Sequence, residues 1–134
     1  LKTVHQNNAG LTFDRLIFRR KNNLFDRAED LLAKSSMDHT ALGRPEQWLE
    51  SRQIYSRRAL RSGKITRAYV IASNHFVNHE NLYDKSRLAD LEWLSGFIAL
   101  EFQKSPQKAL KHFLYFSPFQ ILCEMSLHED FYKQ

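Results

Sequence analysis

The stretch "DLEWLSGFIALEF", residues 90–102, decides the fold. Only the seven uncharged residues from Leu94 to Leu100 separate Glu92-Trp93 from Glu101, whereas a membrane-spanning helix needs about 20 mostly apolar residues. At about 100° per residue, the apolar side chains cover most of the circumference of a helix. The stretch therefore predicts a buried helix that does not span a membrane.

The same stretch predicts how this helix packs. We expect Trp93, Phe97 and Leu100 to be core residues, and the charged side chains Asp90, Glu92 and Glu101 to lie along the remaining edge. Gly96 costs roughly 1 kcal/mol relative to alanine inside a helix. Its presence predicts that a neighbouring helix comes close at this point.

Three alanines mark an internal repeat. They lie in "LFDRAEDLLA" (Ala28), "KITRAYVIAS" (Ala68) and "SPQKALKHFL" (Ala109), and they are 40 and 41 residues apart. A basic residue precedes each alanine. We predict that the same helix occurs three times, with the alanine buried where helices touch.

A loop-breaking pair of residues and another helical stretch precede each repeat helix. Pro45 and Pro106 fit the first turns of their helices, and no segment alternates cleanly enough to predict a strand. The fold class is predicted to be all-α, an α-superhelix (solenoid) of antiparallel helix hairpins in a single unit over residues 1–134. The predicted hairpins are 12–34 (helices 12–21 and 24–34), 45–76 (45–61 and 65–76) and 86–116 (86–103 and 106–116), followed by the start of a further helix at 118–130.

Composition narrows the class of protein only a little. Twenty Lys and Arg against 15 Asp and Glu give a net charge of +5, which is compatible with an acidic partner, although a solvated helix face is the commoner cause of such charge. The phosphate groups of nucleic acids bind positively charged side chains. Because no nucleic-acid-binding motif accompanies the charge here, we assign no nucleic-acid partner. Cys123 is the only cysteine, which excludes an internal disulfide. Because the chain opens at Leu1 without an initiator Met, we expect it to be part of something longer.

Two longer stretches resemble a known family. They are "GRPEQWLESRQIYSRRALRSGKITRAYVIASNH" (43–75) and "ADLEWLSGFIALEFQKSPQKALKHF" (89–113), and they are similar to the superhelical domain of soluble lytic murein transglycosylases. The most specific parts are Gly43-Arg44-Pro45 followed by Trp48, the run Ala72-Ser73-Asn74-His75 after Ala68-Tyr69, and Ala109 to Phe113 after the run from Glu92 to Leu100. The resemblance extends from about residue 11 to about residue 116.

The resemblance implies a tetratricopeptide-like solenoid in a bacterial, periplasmic protein of cell-wall turnover. Enzymes of this family are lyases that cut peptidoglycan glycan strands to 1,6-anhydromuramoyl products. Their catalytic glutamate lies in a Glu-Ser-x-Phe motif of a separate lysozyme-like domain. The nearest match here, Glu124-Met125-Ser126-Leu127, has an intervening methionine. We therefore assign no catalytic residue to this chain and expect the catalytic domain of the same protein to be its partner.

Four residues are candidates for contact with glycan. Trp48 and Tyr55 lie seven apart on one predicted helix with Arg52 between them, and Tyr69 lies on the repeat helix packed against it. Sugar rings stack on such aromatic side chains. Aromatic residues at helical spacing usually pack in cores, so core packing is the expected role and glycan contact the alternative.

The remaining candidates have plainer interpretations. His75 and His79 have a helical spacing used by zinc proteins, but Phe76 occupies the place of the expected Glu, so we predict loop histidines and no metal. The acidic pairs Glu29-Asp30 and Glu129-Asp130 are predicted surface charges, and Cys123 a small core residue. No cofactor is predicted.

These observations favour a non-catalytic scaffold segment of a lytic transglycosylase that guides peptidoglycan glycan strands. The alternative is a stand-alone helical-repeat adaptor that binds a protein or peptide on its concave face.

Overall fold

Every regular element is helical in residues 8–115, which are the residues that the computed structural model describes. The α-helices form three consecutive pairs: α1 Ala9–Lys21 and α2 Phe25–Ser35, α3 Leu49–Arg61 and α4 Ile65–Ser73, and α5 Ser86–Glu101 and α6 Pro106–Leu114. We call these pairs the first, second and third hairpins. Short 3₁₀-helices lie at His39–Leu42, Pro45–Trp48 and His79–Asn81. The all-α prediction is confirmed for this part of the chain, in which no helix is long and apolar enough to cross a membrane.

The predicted helix 118–130 lies outside the described residues. So do Cys123, Glu124 and the Glu129-Asp130 pair, and their predicted roles stay predictions.

The turns of the three hairpins share a left-handed residue at the same place in the repeat. Asn23, Gly63 and Lys104 have left-handed backbones, with φ of 60°, 79° and 53°, and their spacing matches that of the three alanines. In the first two turns, the following residue donates its N–H to the carbonyl five residues back, Leu24 to Arg19 and Lys64 to Ala59. This bond satisfies a helix-end carbonyl in the manner of a Schellman motif. The repeat thus extends to the backbone of the turns.

The repeat alanines are core residues, as the sequence predicts. Ala28 and Ala68 have no exposed surface, and Ala109 is 2% exposed. A side chain of one carbon lets the backbone of its helix approach its neighbours, and the buried methyl group adds to the core.

The core consists of two clusters that the second hairpin connects. The first-hairpin cluster contains Leu16, Ala28 and Leu32 with Tyr55 and Ile71 from the second hairpin and Trp48 from the 3₁₀-helix before it. The other cluster joins Leu49, Ala59, Ala68 and Ala72 to Leu88, Leu91, Leu94 and Ile98 of α5. The helices α3 and α4 therefore supply apolar side chains to both neighbours.

Helix α5 corrects part of the packing prediction. Trp93 is 54% exposed and Leu100 40% exposed, while Phe97 is partly buried and stacks on Trp93 with ring centroids 5.5 Å apart. Trp93 and Leu100 are not core residues, because the buried stripe of the helix contains Leu91, Leu94 and Ile98 and leaves both on the other side. The prediction for Gly96 is confirmed, since the Phe113 ring of α6 lies over it.

Two predicted helices are shorter or divided in the structure. The predicted helix 45–61 begins as the 3₁₀-helix Pro45–Trp48 and becomes α-helical at Leu49. The predicted helix 65–76 ends at Ser73, with Asn74 as its cap and Phe76 in a left-handed conformation. His75 and His79 therefore follow the helix and do not share a helical face.

Candidate functional site

Three of the four candidate glycan contacts are buried in the structure. Trp48, Arg52 and Tyr55 have no exposed surface. Trp48 donates its indole N–H to the Leu42 carbonyl at 2.9 Å, and its ring meets Phe13 edge to face. The glycan-contact prediction is wrong for these residues in this fold, because a buried ring offers no face to a sugar and the buried Arg52 guanidinium is equally out of reach.

Arg52 connects the first two hairpins from inside. Its Nη1 donates to the Ser36 hydroxyl at 2.7 Å and to the Ile71 carbonyl at 2.8 Å. Its Nε and Nη2 have no hydrogen-bond partner among the residues described. Burial lowers the pKa of Arg52 to about 10, which leaves the guanidinium charged at neutral pH. Arg52 is thus a buried structural cation.

Tyr69, the fourth candidate, belongs to a chain of polar side chains that we call the Glu92 network: Tyr69, His112, Glu92 and His75. The Tyr69 hydroxyl lies 2.7 Å from His112 Nε2, and His112 Nδ1 lies 2.7 Å from one Glu92 oxygen. The other Glu92 oxygen lies 2.7 Å from His75 Nε2. The network joins three helices. Tyr69 lies in α4 and His75 follows that helix, while Glu92 lies in α5 and His112 in α6.

The backbone fixes the tautomer of His75. The Val77 N–H donates to His75 Nδ1 at 3.0 Å, so Nδ1 carries no hydrogen. His75 Nε2 then carries the hydrogen that it donates to Glu92. His112 likewise donates from Nδ1, which leaves its Nε2 free to accept from the Tyr69 hydroxyl.

The electrostatics of Glu92 follow from this geometry. Burial by itself would raise the pKa of Glu92, but the hydrogen bonds from His112 and His75 outweigh it and hold the pKa below its ordinary value. Glu92 is therefore an ionised carboxylate that accepts a hydrogen bond from each of the two imidazoles. Burial also raises the pKa of the Tyr69 hydroxyl, which keeps it protonated as a donor to His112.

The surroundings of the Glu92 network favour a structural role over a catalytic one. A hydroxyl, an imidazole and a carboxylate in sequence are the parts of a proton relay. However, the cavity beside Glu92 and His112 holds only about 70 Å³ and is lined also by Ala89, Trp93 and Phe113. Small-molecule sites usually measure about 300–1,000 Å³. We conclude that the network joins helices.

Tyr69 itself offers little surface for stacking. Lys108 Nζ lies 4.1 Å from the centroid of its ring, and the His112 ring meets it edge to face. Tyr69 is only partly buried, so its contact with glycan stays a prediction.

A second buried carboxylate connects the first two hairpins. Glu29 has no exposed surface, and three cations approach it at 3.3 Å each: Arg58, Lys64 and Arg67. The prediction that Glu29 is a surface charge is wrong, because these three cations replace the water that the carboxylate loses on burial. Its neighbour Asp30 is exposed, as predicted, and pairs with Arg67.

The histidine and metal predictions have different outcomes. His75 lies in the irregular segment after α4, as a loop histidine, but is buried in the Glu92 network, whereas His79 is the first residue of the 3₁₀-helix His79–Asn81 and meets the Tyr115 ring. In residues 8–115 no group of three or more His, Cys, Asp or Glu side chains is placed to hold a metal ion. His75 and His112 direct nitrogens at Glu92 itself, so this cluster is internally hydrogen-bonded.

Sequence reasoning missed both buried carboxylates. The sequence does indicate burial at both positions, since Glu92 lies within the apolar run and Glu29 directly follows a repeat alanine. Their partners are 17 to 38 residues away along the chain, and no local pattern connects them.

Comparisons with known proteins add no assignment, since no family model, no curated protein and no solved structure matches the chain.

Proposed function

We propose that this chain is a non-catalytic superhelical scaffold segment of a soluble lytic murein transglycosylase. In this proposal the hairpins form a tetratricopeptide-like solenoid in the periplasm, the catalytic lysozyme-like domain belongs to the same protein, and the scaffold guides peptidoglycan glycan strands. The proposal starts from the sequence resemblance.

One observation carries the proposal. The residues that give the resemblance are also those that join one hairpin to the next. His75, Glu92 and His112 meet in the Glu92 network, Gly96 receives the Phe113 ring, and Asn74 donates to the Ser36 carbonyl at 3.2 Å. This supports a scaffold, because the shared features serve packing between hairpins and not a reactive cleft.

The charge of the chain supports contact with an acidic polymer. Peptide stems of peptidoglycan carry carboxylates, and the net charge is +5. Attraction of this kind is screened beyond about 8 Å at physiological salt. Binding to peptidoglycan should therefore weaken as the salt concentration rises.

The test uses the whole chain and purified murein sacculi. We expect no soluble anhydromuropeptides by mass spectrometry, and co-sedimentation that falls between low and high salt. The control is an unrelated basic protein of similar size and charge. Equal co-sedimentation of that control would reduce the binding to nonspecific charge, and anhydromuropeptide release that disappears in Glu124→Gln would overturn the scaffold proposal.

A helical-repeat adaptor that binds a peptide is the second candidate function. A cleft of about 710 Å³ on the first hairpin, lined by the cations Arg15 and Lys34, favours it, and a peptide partner does not require peptidoglycan. Retention of peptide binding without any binding to sacculi would favour the adaptor.

A further inference from the structure

A cleft of about 710 Å³ opens on the first hairpin. Helix α1 contributes Thr12 and Arg15, helix α2 contributes Leu31 and Lys34, and the following segment contributes Asp38 and Thr40. The volume is in the range of sites for small molecules, about 300–1,000 Å³. The cleft lies apart from the Glu92 network, which involves the second and third hairpins.

The two cations of the cleft differ from other basic residues nearby. Arg20, Arg58 and Arg67 pair with carboxylates. The side chains of Arg15 and Lys34 make no hydrogen bond or ion pair with another residue in the described part of the chain. Two cations that line one cavity suit an anionic ligand, and Arg presents a planar fork that matches a carboxylate.

A carboxylate also lies in the cleft and limits which anion fits. Asp38 Oδ1 accepts from the Thr40 hydroxyl at 2.7 Å and from the Thr40 N–H at 3.0 Å. These two hydrogen bonds hold the pKa of Asp38 below its ordinary value, so it is ionised at neutral pH. Its second oxygen accepts no hydrogen bond from the described residues and can receive a donor from a ligand.

We propose that this cleft binds an amino-acid or peptide C-terminus, with the ligand carboxylate on Arg15 and Lys34 and its adjacent N–H on Asp38. Arg15 and Lys34 carry two positive charges and Asp38 carries one negative charge, so the net charge of these three side chains is positive and matches a monoanionic ligand. A phosphate dianion would be repelled by Asp38. Leu31 and Ala41 add apolar surface for a small side chain. The inference rests on the residues of the cleft and does not depend on the scaffold function.

The experiment is an NMR titration of the ¹⁵N-labelled whole chain at low salt with three probes. The probes are N-acetylalanine, which has the carboxylate and the N–H, its C-terminal amide, which lacks the carboxylate, and inorganic phosphate. We expect N-acetylalanine to shift amides of Thr12, Lys34 and Thr40, and the other two probes to bind about tenfold more weakly or not at all. Tighter binding of phosphate or of the amide would overturn the proposal.

Matched variants separate the cleft from general charge. The double variant Arg15→Gln with Lys34→Gln should weaken N-acetylalanine binding about tenfold, since it removes both charge-assisted contacts. The control is Lys21→Gln with Arg44→Gln, which removes the same charge from exposed side chains outside the cleft. Equal losses in the two double variants would assign the binding to net charge and overturn the site.

The variant Asp38→Asn should change the binding of phosphate and of N-acetylalanine in opposite directions. Asparagine retains an oxygen for Thr40 but removes the negative charge, so we expect phosphate binding to become tighter and N-acetylalanine binding weaker. Unchanged binding of both probes would exclude Asp38 from the site. Backbone amide spectra of every variant report whether the fold is intact.

Discussion

The hydroxyl groups of Tyr55 and Tyr69 differ in whether they have a hydrogen-bond partner. The Tyr55 hydroxyl is buried and has no hydrogen-bond partner among the residues described, while the Tyr69 hydroxyl lies 2.7 Å from His112 Nε2. A buried polar group without a partner costs free energy, and a hydrogen bond returns part of that cost. The two residues therefore form a natural pair for measurement.

We expect Tyr55→Phe to stabilise the chain by about 1 kcal/mol and Tyr69→Phe to destabilise it by about 1 kcal/mol. The first substitution removes an unsatisfied hydroxyl, and the second removes a hydrogen bond from the Glu92 network. Urea denaturation monitored by circular dichroism gives both values under the same conditions. A loss of stability in Tyr55→Phe as large as in Tyr69→Phe would show that the Tyr55 hydroxyl has a partner.

At the scale of elements, the contact between α5 and α6 depends on Gly96. A Cβ atom at this position would lie 2.6 Å from Cε1 of Phe113 and 2.8 Å from Cδ1, which is closer than non-bonded carbon atoms approach each other. Two effects then oppose each other in Gly96→Ala. Alanine favours the helix by roughly 1 kcal/mol, and the overlap with the ring costs about 1–3 kcal/mol.

A double-mutant cycle separates these effects. Gly96→Ala alone should destabilise the chain, whereas in a Phe113→Ala background the same change should stabilise it by about 1 kcal/mol, since only the helix preference remains. Denaturant titration of the four proteins measures the coupling. Equal effects of Gly96→Ala in both backgrounds would mean that the ring does not restrict this position.

At the scale of the whole molecule, polar side chains supplement the apolar core in joining the hairpins. Glu92 connects the second hairpin to the third through His75 and His112. Glu29 connects the first to the second through Arg58, Lys64 and Arg67. Because each carboxylate is buried and has several donors, removing it would leave buried donors from two hairpins without a partner.

The stability of the molecule should therefore depend on pH through Glu92. Its pKa is lowered in the folded state, so its stabilisation is fully present above the ordinary pKa of 4.5 and is lost as the pH falls through the lower, folded value. We expect Glu92→Gln to cost about 1–3 kcal/mol at neutral pH and progressively less below pH 4.5.

Urea titrations between neutral and acidic pH measure this dependence. The control is Glu101→Gln, an exposed position at the end of the same helix, for which we expect little change at any pH. A difference between Glu92→Gln and the native chain that stays constant into the acid range would contradict the linkage.

Several features were predictable from the sequence because they follow from local chemistry. The 40- and 41-residue spacing of Ala28, Ala68 and Ala109 predicted three equivalent buried positions. The loop-breaking pairs Asn22-Asn23 and Ser62-Gly63 predicted where α1 and α3 end, since the backbone there must leave the helical region. Gly96 predicted a close approach, because nothing local compensates for a glycine inside a helix.

The tertiary structure alone decided which polar residues are buried and with what. Glu29 and Asp30 are adjacent in sequence, yet one is buried among three cations and the other is exposed. The orientation of each helix selects between such neighbours, and that orientation depends on the side chains of other helices. For the same reason Trp93 lies outside the core while Trp48, Arg52 and Tyr55 lie inside it. The sequence determined the helices and their repeat, and packing between distant segments determined the two carboxylate centres and the cleft on the first hairpin.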